Sequence, residues 1–176
     1  MKLRKQLGLF SLGLMLVFSF AFTSCGNVTT NEYQATALTK LTWNVKYTPK
    51  YQGQSERERR FEEFTSASLL NTNGQRPDGI LTQPDDQGLW WPKVPPKPSL
   101  DDIEQRAKSQ EEHHRPELFR QVNYEMTYKD GGNSVTLSTN YSVYRQVVKA
   151  APQQKTLKLT LGVRNRSVAQ VEVIGD

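Results

Sequence analysis

"QVNYEMTYKDGGNSVTLST", residues 121–139, reads as two strands and the turn that joins them. Val122, Tyr124, Met126 and Tyr128 alternate with Gln121, Asn123, Glu125, Thr127 and Lys129, the two-residue period of a half-buried strand. Asp130, Gly131, Gly132 and Asn133 then supply residues that accept positive φ, which tight hairpin turns require. A β-hairpin is expected here.

The flanks extend that unit. "NYSVYRQVVKAAP", 140–152, fits helical spacing through Tyr141, Tyr144, Val147, Val148 and Ala151 with Asn140 as cap, yet Tyr141, Val143 and Val147 also fit a continuing strand. Pro152 would close a helix naturally and favours that reading. "TLKLTLGV", 156–163, and "VAQVEVI", 168–174, alternate as strands, with Leu157, Leu159, Leu161 and Val163 on one face. "RNRS" between them is short enough for a second hairpin. Further upstream, "KLTWNVKYT", 40–48, sets Leu41, Trp43, Val45 and Tyr47 against Thr42, Asn44, Lys46 and Thr48, and Pro49 ends it. About five strands and two or three helices, with hairpins outnumbering crossovers, predict a single small α+β domain over 39–176. Its sheet should be mostly antiparallel, with helices on one face.

Two further segments read as helices. In "GQSERERRFEEFTSASLL", 53–70, Ser55 and Glu58 form a capping-box pattern, and Phe61, Phe64, Ser68 and Leu69 fall near one face. Its dense charges suit a solvated face better than a docking surface. In "SLDDIEQRAKSQEEHHRPE", 99–117, Ser99 is an N-cap candidate, Asp101 and Asp102 sit at the positive end of the helix dipole, and Pro116 places the end after His114. "EEHH" invites a metal reading, but adjacent His113 and His114 point about 100° apart on a helix, so surface histidines are the simpler account.

Between these segments, 71–99 holds six prolines, four of them in "PKVPPKP", with glycine and turn-forming Asn and Asp, and predicts a loop with polyproline II character. It also carries Trp90 and Trp91. Either the pair pins a long ordered loop onto the domain, or it forms an exposed patch for a partner, or it sits at a membrane interface. Trp90, Trp91, Pro92, Pro95 and Pro96 are the candidate interaction residues.

The amino terminus carries a targeting signal. Lys2, Arg4 and Lys5 precede an uncharged apolar run over 7–22, and small Thr23 and Ser24 lead to Cys25, the only cysteine. The run is short for a membrane span and contains Ser11 and Ser19. Phe22, Thr23, Ser24 and Cys25 resemble the lipobox of bacterial lipoproteins, with Phe22 where leucine is usual. The resemblance implies that 1–24 is a cleaved signal peptide and that Cys25 is lipidated and becomes the mature N-terminus. A free thiol in an ordinary leader is the alternative, and no partner for a disulfide exists. One acyl chain binds membranes only marginally, whereas the two or three of lipoproteins anchor stably. The polar stretch that follows, 25–38, reads as a tether holding the domain off the bilayer.

Charge narrows the partners. Of 23 Lys and Arg, three lie in the leader, leaving 20 against 18 acidic residues, so the formal +5 shrinks to a nearly balanced mature chain. That argues against a nucleic-acid footprint. No nucleophile elbow or other catalytic constellation stands out, and "DGGN" serves its hairpin better than a phosphate. The expectation is a non-enzyme without cofactor. Its expected role is a membrane-anchored, extracytoplasmic accessory, assembly or interaction factor for a membrane protein complex. A periplasmic or lumenal ligand-binding module is the alternative, with an envelope enzyme of unrecognised type third. The mature chain also resembles small cyanobacterial lipoproteins of unknown function, through "DGILTQPDDQGLWWPKVPPKPSLDDIE" and "TNYSVYRQVVK". That resemblance would add the lumenal side of a photosynthetic membrane to the accessible locations.

Overall fold

A computed structural model describes residues 26–50, 59–78 and 83–175. The expected leader over 1–24, Cys25, the Ser55 and Glu58 cap pattern, Ile80 and Leu81 lie outside the described residues. The chain is a small domain of mostly antiparallel sheets, with eight strands and two α-helices among the described residues, compatible with the α+β class but richer in strands than expected.

The strands are β1 (Asn27–Thr30), β2 (Tyr33–Pro49), β3 (Arg60–Thr72), β4 (Glu111–His113), β5 (Glu117–Asp130), β6 (Asn133–Thr139), β7 (Thr156–Leu161) and β8 (Val168–Ile174). The helices are α1 (Leu100–Arg106) and α2 (Tyr141–Ala150). Two sheets replace the single one expected. A five-stranded sheet runs β3-β2-β5-β6, with β4 also paired to β2, and a three-stranded sheet runs β1-β7-β8. They meet where β1 leads into β2, and again where Ser138 and Ser167 form a parallel bridge beside a 2.8 Å bond from Thr139 Oγ1 to the Val168 carbonyl.

The hairpin that opened the sequence forms as its pattern dictates. Asp130 pairs Asn133 across Gly131 (φ 56°) and Gly132 (φ 88°), both in backbone that side chains disfavour. Met126 and Tyr128 are buried, with Val122 and Tyr124 packed against the same core. The ambiguous 140–152 stretch is helical. Asn140 Oδ1 accepts from Val143 N at 3.0 Å, and Val143, Tyr144, Val147 and Ala150 are buried. They pack with Ala35 and Ala37 of β2, Leu157, Leu159 and Leu161 of β7, and Val168 and Val171 of β8 to form the main core. Each fully buried leucine contributes about 1.5–3 kcal/mol. After β3, Gly74 (φ 66°) lies so close to α2 that an added β-carbon would meet Val148 Cγ1 at 2.5 Å, so this turn locks helix to sheet.

Four expectations are corrected. The supposed tether is structured: β1 begins at Asn27 and β2 at Tyr33, because Val28, Ala35 and Ala37 have a core to enter. The supposed helix across 60–70 is strand β3. A bulge opposite Thr42 and Asn44 shifts its phase, so Glu62 and Phe64 and then, one residue late, Ala67 and Leu69 face inward, which erases a clean two-residue period. Helix α1 stops at Arg106, and the following residues form β4, since Tyr47, Thr48 and Pro49 extend past the end of β5 and need pairing partners. Val163 does not continue the buried face of β7. It is 68% exposed in the turn beyond it.

A second, smaller core lies at the far end of β2, where Val45 and Tyr47 meet Ile103 of α1, with Phe64 and Ala107 against them. Ser99 caps α1: its Oγ accepts from Asp102 N at 3.2 Å, and Ser99 N donates back to Asp102 Oδ2 at 3.1 Å.

Candidate functional site

Residues 83–99 carry no regular structure, as their prolines require, yet they form an ordered strap from the main core to α1. Asp85 folds its start. Its Oδ1 accepts from Gln87 N and Leu89 N at 3.0 and 2.9 Å, which sends Leu89 fully into the main core. Asn71 of β3 then holds Trp90 as a neighbouring strand would. Asn71 Oδ1 accepts from Trp90 N at 2.8 Å, and its Nδ2 donates to the Trp90 carbonyl at 3.1 Å. Thr39 Oγ1 donates to that same carbonyl at 2.8 Å. Buried Asn71 thus satisfies a stretch of backbone that lacks a ladder of its own.

The candidate residues are arranged along this strap. Trp90, Trp91 and Pro92 are half-buried, Pro95 is buried and Pro96 is exposed. Trp91 Nε1 donates to Asp85 Oδ2 at 2.7 Å, and the Arg120 guanidinium lies 5.1 Å from the ring centre. The carbonyls of Pro95 and Pro96 accept from Trp43 Nε1 at 2.9 Å and Thr65 Oγ1 at 2.6 Å. The pair therefore lies along the sheet, with the Trp90 backbone and the Trp91 indole N–H engaged, and both residues keep part of their surface in water. Cys25 falls outside the described residues, one peptide bond before Gly26.

Strongly perturbed carboxylates occur only at the α1 end among the described residues, and sequence reasoning missed their pairing. Arg60 stacks 4.0 Å above the Tyr47 ring and donates to Glu111 through Nε at 3.0 Å and Nη2 at 2.8 Å, to the Arg106 carbonyl at 2.7 Å, and to Glu62. Arg106 donates to Glu62 at 3.1 Å and lies 4.1 Å from the Phe64 ring centre. The hydrogen bonds from Arg60 lower the Glu111 carboxyl to about 2, and bonding to Glu111 raises Arg60 in turn. For Glu62, burial works to raise the value, but bonds from Arg60 and Arg106 overcome it and hold it below the usual range. Both carboxylates are pushed away from the elevated pKa a general acid needs. Their geometry is that of an ionic roof over the small core.

Beside that roof lies an open cleft of about 300 Å³, lined by Lys97, Leu100, Ile103, His113, His114 and Arg115 among others. His113 sits in β4 and His114 just after it, with Nε2 3.0 Å from Thr48 Oγ1, so neither lies near a helix end as expected. No group of three or more His, Cys, Asp or Glu able to hold a metal occurs among the described residues, and no helix among them is long and apolar enough to cross a membrane.

No family model, curated protein or solved structure matches the chain, so its functional reading rests on sequence and geometry alone.

Proposed function

We propose that this chain is an extracytoplasmic protein anchored to a membrane by acyl chains on Cys25, and that its domain serves as a non-catalytic accessory, assembly or interaction factor for a membrane protein complex. The observation that carries the reading is the placement of the single cysteine directly after an apolar, basic-headed leader. Lipidation also accounts for a lone cysteine that has no disulfide partner in the chain. Interaction is favoured over catalysis because the perturbed carboxylates are consumed by arginines. The outer face of the five-stranded sheet offers breadth for a partner. Leu38 pairs Leu70 across the β2-β3 register, and both are exposed, as are Phe61 and Phe119, among Thr, Ser, Lys and Glu. The half-buried Trp90 and Trp91 edge is a second, narrower contact.

Cross-linking of the native protein in gently solubilised membranes tests this, with Cys25→Ser as the unanchored control. A defined set of membrane-complex subunits that disappears in the control is the expected result, and Cys25→Ser protein should also wash off in alkaline carbonate. Continued tight association after that substitution would remove the anchor from the reading. Trp90→Ala with Trp91→Ala should cut partner capture while leaving a cooperative melt, whereas loss of the melt would assign the pair to packing alone.

One observation favours a second reading, a binding module. The cleft combines apolar Leu100, 58% exposed, and Ile103 with the cations Lys97 and Arg115, a lining suited to an anionic amphiphile. Leu100→Glu would abolish such binding and leave partner capture unchanged.

A further inference from the structure

The described chain enters the fold at its first residue. Gly26 is the first described residue, and its carbonyl already accepts from Leu161 N at 2.8 Å. It passes in contact with the β7–β8 turn, since a β-carbon on Gly26 would stand 3.0 Å from Asn165 Oδ1. The turn over 163–166 is thus the part of the domain beside Gly26, the residue that follows Cys25 in the sequence.

That turn is unusual in composition. Val163 is 68% exposed, and Arg164, Asn165 and Arg166 are exposed with it. Neither arginine side chain makes an ion pair or hydrogen bond among the described residues, unlike Arg60 and Arg106. Arg164 (φ 56°) and Asn165 (φ 54°) both take left-handed backbone. The β5–β6 turn fills the equivalent positions with Gly131 and Gly132, which accept that backbone freely. Asparagine tolerates it and arginine does not, so turn geometry disfavours Arg164.

We infer that the β7–β8 turn is a second membrane contact, in which Arg164 and Arg166 meet the phosphates of an anionic phospholipid surface and Val163 enters the interface between them. This rests on the Cys25 anchor. The anchor fixes which end of the domain faces the bilayer, and the unpaired guanidiniums match the phosphate groups of an anionic lipid.

The test uses the full chain, exported and processed in a bacterial host, and reconstituted into phosphatidylcholine vesicles with and without phosphatidylglycerol. Mass spectrometry of the purified protein reports whether Cys25 carries acyl chains. With Cys25 acylated, Val163→Cys provides the one free thiol for an environment-sensitive fluorophore, and Ser109→Cys, exposed beyond α1, provides the control. The label at 163 should shift to the blue and be quenched by spin-labelled lipid when phosphatidylglycerol is present, while the label at 109 stays in water. Arg164→Gln with Arg166→Gln should reduce the docked fraction by about fivefold for each charge removed. Arg164→Gly separates the turn's structural role from its membrane role: it relieves the left-handed backbone and raises Tm, yet weakens docking. An unacylated mass would sink the anchor reading and this inference together. An acylated protein whose 163 label stays in water, with docking indifferent to both arginines, would overturn this inference and leave the anchor standing.

Discussion

At its Tyr33 end β2 lies in the main core with Val147, Leu157 and Leu159, all fully buried; at its Pro49 end the same strand lies under Ile103 and two arginines stacked on aromatic rings. One end is held chiefly by apolar packing, with neutral hydrogen bonds such as that from the Tyr33 hydroxyl to the Lys155 carbonyl at 2.8 Å. The other has a core of three buried residues, and it completes that core with cations, each paired to a carboxylate and each covering a ring. Burial by apolar packing is insensitive to pH, whereas an ionic roof is not. The strap between them, gripped by Asn71, makes the two ends one unit.

The largest effect should come from the apolar end. Leu157→Ala leaves a cavity in the main core and should cost about 2–5 kcal/mol, lowering the denaturation midpoint without changing its slope. If instead the loss appears only as faster local hydrogen exchange, the two ends are independent folding units.

Next comes the grip between them. Asn71→Leu keeps volume but leaves the Trp90 N–H and the Thr39 hydroxyl with fewer partners, and should cost about 1–3 kcal/mol. Because Trp90 and Trp91 depend on that grip, their fluorescence should shift to the red before global unfolding in urea. A single coincident transition would mean that the strap is held by Leu89 and the Pro95 and Pro96 carbonyls rather than by Asn71.

The ionic end should show a smaller, pH-dependent effect. Glu111 is held at about 2 when folded, against roughly 4.3 when unfolded. Its contribution is therefore fully present above about pH 4.3 and is lost as pH falls through the folded value. With partial solvent screening it should amount to about 1–2 kcal/mol. Stability curves of the native chain and Glu111→Gln should differ near neutrality and converge at the acid limit. Parallel curves would show the carboxylate's charge to be irrelevant.

The smallest effects belong to the two hairpin turns and have opposite signs. Gly131→Ala forces a side chain into left-handed backbone and should cost about 1 kcal/mol, while Arg164→Gly should gain a comparable or smaller amount. Thermal melts of both variants measure the pair directly.

How much of this was legible in the sequence depends on how local each signal is. The β5–β6 hairpin, the capped helix at Asn140 and the strands at 156 and 168 carry their pattern within a few residues and formed as read. β3 was misread because a bulge breaks its period, and because Arg60 and Glu62 pair with residues of α1 and β4 more than 40 positions away. The same distance hid the roof, since nothing near Glu111 names Arg60 as its partner. Asn71 looked like another turn residue opening a turn-rich loop, and only its position in β3 beside Trp90 reveals its use. The polar composition of 25–38 suggested a tether because threonine and alanine say little about burial until a core is placed beneath them.

The pairing of β1 with β7 has a consequence for how the protein is made. Thr160 and Asn27, which share a hydrogen bond, are 133 positions apart in the chain. Contacts of such long sequence separation form late, because the loop they close must be ordered first. During synthesis the first strand to emerge would thus be among the last to find its place, and would stay unpaired until the final quarter of the chain had followed it.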